Sequence, residues 1–254
     1  MISQDSFNQE VFTMRIFFRI FFKDNSQEVF PVDYRRIFMS VLKRVYEGTP
    51  FEEIVLSHDR IPKPYVFSVG FRRIKEISGD SIMFESPVFF NFSSSIPQMI
   101  GYLYNHIDRI KSFFKGTEIL VDLPIPKMIT SEKVNFKILG SAVLTRSEKD
   151  RYYLNPEDDD FEEALNHSLK VRLDLLKDIF EKFGVKAPGF KPVNIVSKDL
   201  KKVPVKHYGG VLEAFSGTIT LSGNLNILNF LYENGLGVRT GQGFGMLKVV
   251  KEWR

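Results

Sequence analysis

The stretch "NGLGVRTGQGFGMLKVV", Asn234 to Val250, puts five glycines directly ahead of an apolar, strand-prone run. Glycine loses more backbone freedom on folding than any other residue, so it is concentrated where the chain needs positive φ or a close backbone approach. Working outward, "NLNILNFLYENG" before the loop reads as a short helix and "GMLKVVKEW" after it as a strand. They close an order that begins with the strand "KVNFKILGSAVLTR" and the helix "DDDFEEALNHSLKVRLDLLKDIF", whose apolar spine is Phe161, Leu165, Leu169, Leu173 and Leu176. Between these lie "PVNIVSKDL" and "KKVPVKHYGGVLEAFSGTITLSG", strand material with hairpin turns. The second half is therefore β-α-β-β-α-β.

The first half repeats that order. "VFTMRIFFRIFF" is a strand with Thr13, Arg15 and Arg19 on one face, and Asp33 is placed to cap a helix through Glu47 with an apolar stripe at Ile37, Phe38, Val41, Leu42 and Val45. "YVFSVGF" and "SIMFESPVFFNF" are strands around the "SGD" turn, "IPQMIGYLYNHIDRIKSFF" is a helix started by Pro97, and "EILVDLPI" is the last strand. Two β-α-β-β-α-β halves predict an α+β chain of tandem ferredoxin-like domains with a C-terminal glycine-rich loop. The prolines of "LPIPKMITSEK" interrupt both ladder and helix there and place the boundary between 1–125 and 126–254.

Composition narrows the function classes. With 43% hydrophobic residues and 25 phenylalanines among 254, the chain can bury a large core. Cysteine is absent, which removes disulfides, thiolate metal sites and cysteine nucleophiles. The N-terminal segment lacks a signal-peptide pattern, and Arg15 and Arg19 interrupt its apolar run, so a cytoplasmic protein without membrane spans is expected. A formal charge of +4 and a pI near 9.0 mildly favour a polyanionic partner.

Three phosphate-binding motifs compete for the glycine loop. A dinucleotide fingerprint needs a strand before the glycines and a helix after them, the reverse of the order here. No glycine is followed by the lysine and hydroxyl residue of a P-loop. A glycine-bulged edge strand accounts for one or two glycines but not five. What remains is two glycine pairs, Gly235-Leu236-Gly237 and Gly243-Phe244-Gly245, each enclosing an apolar peg and separated by five residues that include Arg239 and Gly241. Such glycines let another backbone, or a phosphate, come close.

This spacing resembles the glycine-rich loop of the CRISPR repeat-processing endoribonucleases in the repeat-associated mysterious protein superfamily. The resemblance implies RNA cleavage without a metal ion or cofactor: a ribose 2′-hydroxyl attacks the adjacent phosphate, leaving a 2′,3′-cyclic phosphate and a 5′-hydroxyl. It also implies CRISPR repeat RNA as partner, with effector-complex subunits and a second copy of the chain as further partners. Gly235, Gly237, Arg239, Gly241, Gly243 and Gly245 would contact RNA. A non-catalytic RNA-binding subunit of an effector complex is the alternative within the family.

Such chemistry needs a base, an acid and a cation. The chain has four histidines: His58, His106, His167 and His207. His106 and His167 fall inside predicted helices. His58 sits in "LSHDRIPKPYVF" after the first helix, where the family pattern often places its histidine, and Lys63 follows at a matching distance. A solvated basic turn is the bland reading of the same segment. Tyr46, at the end of that helix, is the weaker third candidate, with Tyr34 as its competitor. His207, in the basic segment with Lys201, Lys202 and Lys206, is the rival histidine, in a segment better suited to holding RNA phosphates. The run Glu157 to Asp160 opens a helix and reads as capping and dipole complementation rather than a metal site. Phe17, Phe18, Phe89, Phe90 and Phe92 read as core rather than as a base-stacking platform. An unrelated small-molecule enzyme would need a convergent polar pocket that the sequence does not display.

Overall fold

The computed structural model describes residues 14–23, 28–57, 61–125, 127–146 and 153–253. In the first half β1 (Met14–Phe22) is followed by the short β2 (Val29–Pro31), α1 (Arg35–Tyr46), α2 (Glu52–Leu56), β3 (Tyr65–Ser78), β4 (Ser81–Ser94), α3 (Pro97–Asn105), α4 (Ile107–Phe113) and β5 (Thr117–Asp122). All the strand pairs are antiparallel. β4 lies between β3 and β1, and β1 lies between β4 and β5. β2 continues the β1 edge of β4, pairing Val29 with Met83. With β2 set aside, the order β3-β4-β1-β5 is that of a ferredoxin-like sheet.

The second half comprises β6 (Lys133–Ile138), α5 (Phe161–Lys182), β7 (Val193–His207), β8 (Gly210–Gly223), α6 (Leu225–Asn234) and β9 (Leu247–Glu252), with strand order β7-β8-β6-β9. It has the same topology, so the tandem ferredoxin-like architecture holds. The spine of α5 packs inward, Phe161, Leu165, Leu169, Leu173 and Leu176 all being buried. Asn224 caps α6, its side chain accepting a hydrogen bond from the Asn226 amide. Among the described residues no helix is long and apolar enough to cross a membrane.

Three local features depart from the sequence reading. The helix expected over the Pro97–Phe113 region is two, because the chain breaks at His106, whose Nδ1 lies 2.9 Å from the Tyr102 carbonyl oxygen. Asp33 does not cap α1 with its side chain, having been drawn to a partner in the other half. Arg15 lies on the side of β1 opposite the core residues Ile16, Phe18 and Ile20, yet it too is buried. The second half covers that side: the Arg15 Nη1 donates to the Leu247 carbonyl at 2.7 Å, Nη2 donates to the Tyr232 carbonyl, and the guanidinium lies 3.6 Å from the Tyr232 ring centroid. One continuous cluster of buried apolar residues runs from Ile16 to Leu247, so the two sheets share their core.

Candidate nucleic-acid interface

The glycine loop leaves α6, makes a single 3-10 turn at Thr240–Gln242 and enters β9. Its two pegs are buried, Leu236 in the main core and Phe244 in a satellite cluster with Val143, Val205, Leu212 and Ala214. The clearance the glycines provide is filled by protein. A Cβ on Gly237 would stand 2.2 Å from the Val143 carbonyl oxygen, and one on Gly245 2.0 Å from that of Leu236. Both glycines have positive φ, which a side chain would also strain. On the other flank, Gly235 faces Val66, Gly241 faces Lys63 and Gly243 faces Phe67, three neighbours on or just before β3.

Of the two occupants that the spacing allows, protein takes the clearance on the Cβ side of all five glycines, and the loop wedges between the two halves. Its amides are engaged in the same packing. Gly245 donates to Ser141 at 2.8 Å, Leu236 to Gly245 at 2.8 Å and Val238 to Val143 at 2.8 Å. Across residues 234–247 Arg239 alone is exposed. It sits at φ 60, a left-handed conformation uncommon for a branched or long side chain. Its guanidinium donates to Gln242 Oε1 at 3.0 Å and to the Tyr153 hydroxyl at 3.2 Å.

Buried arginines donate hydrogen bonds to the loop's carbonyls. Arg172 of α5 donates to the carbonyls of Asn234 (2.6 Å), Gly235 (2.6 Å) and Gly237 (3.2 Å), which lie at the negative end of α6. Arg15 secures Tyr232 one turn earlier. Burial lowers the pKa of both guanidiniums to about 10, and for Arg15 the nearby Tyr232 and Glu233 offset part of that shift. Arg35, opening α1, donates to the Gly243 carbonyl at 3.2 Å and the Ser141 hydroxyl at 3.1 Å.

His207 is the centre of a polar chain across the seam. Its Nδ1 lies 2.9 Å from Asp33 Oδ1 and its Nε2 3.0 Å from Gln242 Oε1, while Asp33 Oδ2 accepts from the Tyr208 amide at 2.8 Å. The ring packs edge-on against Phe244. Buried and saturated in this way, His207 pins the β7–β8 hairpin to the start of α1 and to the loop. The lysines expected beside it are on the surface. Lys201 is exposed, Lys202 pairs with Glu213 at 2.7 Å, and Lys206 pairs with Asp80 in the β3–β4 turn.

His58 lies outside the described residues. Its chain neighbour Ser57 is described: the carbonyl and hydroxyl of Ser57 both accept from Lys63 Nζ at 3.1 Å. Lys63 in turn packs its Cγ and Cβ on Gly241. Lys63, Ser57 and the loop are thus brought together. Tyr46 is not brought with them. It is fully buried, and its hydroxyl donates to the Met99 carbonyl at 2.8 Å. Burial, with Tyr65 nearby, raises its pKa well above the usual phenol value. This corrects the sequence expectation, because a phenol sealed under α3 cannot reach a bound phosphate. Tyr34 instead rests against Phe71 and under Arg35.

Two residues of the acidic run before α5, Asp158 and Asp160, have protein partners as well. Asp160 is held below its usual pKa by its hydrogen bond from Arg146, and Asp158 accepts from the Asn155 amide. Among the described residues no three acidic or histidine side chains are grouped to hold a metal ion.

Sequence reasoning missed Arg15, Arg35, Arg172 and the Asp33–His207–Gln242 chain. The two helical arginines left a faint signal. Arg172 interrupts the apolar spine of α5 next to Leu173, and Arg35 falls in the first turn of α1, where a cation opposes the helix dipole unless tertiary partners hold it.

Residues 123–249, half of the chain and including the loop, match the family described as "CRISPR associated protein Cas6, C-terminal". The chain belongs to the Cas6 family. A relative from Pyrococcus furiosus described as a putative CRISPR-associated endoribonuclease-like protein Cas6 is 27% identical over 171 residues, which cover 63% of this chain and 67% of that protein. Solved structures agree in fold. The product of a Cas6-related gene from Pyrococcus furiosus superposes with a TM-score of 0.75 at 21% identity, over 95% of this chain and 100% of that one. A RAMP protein described as binding different RNA substrates gives 0.71 at 22% identity, over 94% and 100%. A Cas6 product complex gives 0.58 at 13% identity, again over 94% and 100%. The Cas6 loop in this chain is thus an interdomain wedge with one outward cation.

Proposed function

We propose that this Cas6 family member is an endoribonuclease that cuts CRISPR repeat RNA in precursor transcripts without a metal ion. The ribose 2′-oxygen forms a bond to the adjacent phosphorus as the bond to the 5′-oxygen breaks, giving 2′,3′-cyclic phosphate and 5′-hydroxyl ends. His58 takes the 2′-hydroxyl proton or supplies one to the departing 5′-oxygen, and Lys63 stabilises the charge gathering on the phosphate. Arg239, Lys201, Lys202 and Lys206 hold the RNA backbone.

One observation carries this reading: Lys63 bridges Ser57, the neighbour of His58, and Gly241 of the loop that presents Arg239. The test is incubation of the purified chain with RNA transcribed from its host's own repeat in excess chelator, with mapping of product ends. Cleavage to cyclic phosphate ends is expected, with His58→Ala and Lys63→Ala each slower by about 100-fold or more. Cutting that appears only with added divalent metal, or an unimpaired His58→Ala protein, overturns the mechanism.

A second reading, a non-catalytic RNA-binding subunit of a CRISPR effector complex, is favoured by the burial of Tyr46, which removes one proposed catalytic group. Under it the same assay returns tightly bound, intact RNA, and co-purification with effector subunits replaces turnover as the measured property. Self-association belongs to either reading and is measured by sedimentation of the free chain.

A further inference from the structure

The β7–β8 hairpin closes with a two-residue turn, Tyr208–Gly209, between the paired residues His207 and Gly210. Both turn residues have positive φ, 50 for Tyr208 and 75 for Gly209. This turn type favours asparagine or glycine at its first position, and an aromatic residue there is strained. The strain does not serve to bury the ring, for Tyr208 remains 55% exposed. Its surroundings nevertheless fix it: Asp33 accepts from its amide, His207 packs edge-on at 4.6 Å, and the Arg36 guanidinium stands 5.0 Å from its ring centroid. Arg36 is itself largely exposed, its Nε 4.0 Å from Asp33 Oδ2, the outer limit of an ion pair. An outward ring with a guanidinium over one face and its hydroxyl 3.8 Å from Met39 Sδ, still half exposed and presented on a strained backbone, fits a site shaped for a ligand.

We propose that Tyr208 is a stacking platform for one unpaired base of the bound RNA, with Arg36 holding the phosphate beside it. This rests on the RNA-binding reading above. A base has a flat π-face that matches the phenol ring, and an adjoining guanidinium supplies the charge that a nucleotide requires and an apolar ligand does not. The platform sits on the seam, where the His207 chain links it to Gln242 and hence to Arg239 of the glycine loop. One RNA strand crossing the seam would meet both cations.

The experiment uses the full chain and its repeat RNA at fixed salt, with 2-aminopurine placed in turn at each repeat position. Quenching at one position on binding to the wild-type protein, retained in Tyr208→Phe and lost in Tyr208→Asn, is the expected result. Tyr208→Asn suits the turn, so its melting temperature should hold or rise while its affinity falls about 5- to 150-fold, the usual range for one stacked base. Tyr208→Phe should bind like wild type, and Arg36→Gln should weaken binding and reduce its salt dependence. Wild-type protein that binds RNA with no position quenched overturns the platform while leaving RNA binding intact. Equal binding by Tyr208→Asn, or a Tyr208→Phe defect as large as that of Tyr208→Asn, overturns it likewise. Wild-type protein that binds no repeat RNA overturns the RNA-binding reading, and the platform with it.

Discussion

The carboxylate of Asp33 and the imidazole of His207 meet at 2.9 Å although 174 residues separate them in the chain. Their bond fastens the tip of the second domain's hairpin to the start of α1 in the first. His207 is sealed from solvent and Asp33 nearly so, so removing either partner leaves a buried polar group without its mate. Asp33→Ala and His207→Ala should each cost about 1–3 kcal/mol in urea denaturation, and a double-mutant cycle should return a coupling of about 0.5–3 kcal/mol. Strictly additive losses would show that the pair does not act as a unit.

The glycines of the loop should separate by what they face. Gly237→Ala and Gly245→Ala drive a methyl group into backbone carbonyls at 2.2 Å and 2.0 Å in a positive-φ conformation, and neither neighbour can swing aside. Both should lose more than about 3 kcal/mol or fail to accumulate as folded protein. Gly48→Ala, also at positive φ but facing open space, should lose only about 1–2 kcal/mol. Gly241→Ala, whose φ is not positive, meets Lys63 Cγ at 2.5 Å and Cβ at 2.9 Å, atoms at the root of that side chain that move only with its backbone. It should fall between these cases, losing about 1–3 kcal/mol as the loop and the Lys63 segment are pushed apart. Circular dichroism melts of the four proteins check the order.

Arg172 gathers three carbonyls with one guanidinium, a geometry that a lysine ammonium cannot copy. Arg172→Lys should therefore destabilise by about 2 kcal/mol or more, and Arg172→Met should do worse because three carbonyls at a helix C-terminus lose their donor. Thermal unfolding of both variants, compared with the exposed-site control Lys170→Met, measures this.

Acid should loosen the first domain through Glu28. Burial alone would raise its pKa, but the hydrogen bonds from Ser86 and the ion pair with Lys75 at 3.5 Å prevail and hold it below its ordinary value of 4.5. A carboxylate depressed in the folded state adds stability that is fully present above 4.5 and fades as pH falls through the depressed value. The melting temperature of wild type should exceed that of Glu28→Gln near neutral pH, and the gap should narrow as the buffer is taken to about pH 3. A gap that does not change with pH would assign the loss to packing instead.

Element order and both ferredoxin-like topologies could be read from the sequence because period-two and helical patterns record which face is buried, as at Ile16, Phe18 and Ile20 or along the α5 spine. The loop could be read too, though only as a shape. Glycine spacing gives the size of a clearance and not what fills it, so Val143 and Leu236 carbonyls stood undistinguished from a phosphate. Asp33 looked like a helix cap because local pattern cannot see a histidine 174 residues away. Tyr46 looked available at the end of α1 because its burial depends on Met99 in another helix. Tertiary partners of single polar residues leave little trace in one chain.

The wedge also sets an order of events during synthesis. Arg35 and Gly243 are 208 residues apart, which at about 5–20 residues per second is roughly 10–40 s of translation. Through that interval the guanidiniums of Arg15 and Arg35 exist without the carbonyls that accept from them, and Val66 and Phe67, made 31 and 32 residues after Arg35, precede the glycines that pack on them. The contacts that join the two halves therefore form last, once the glycine pair around Phe244 has been made.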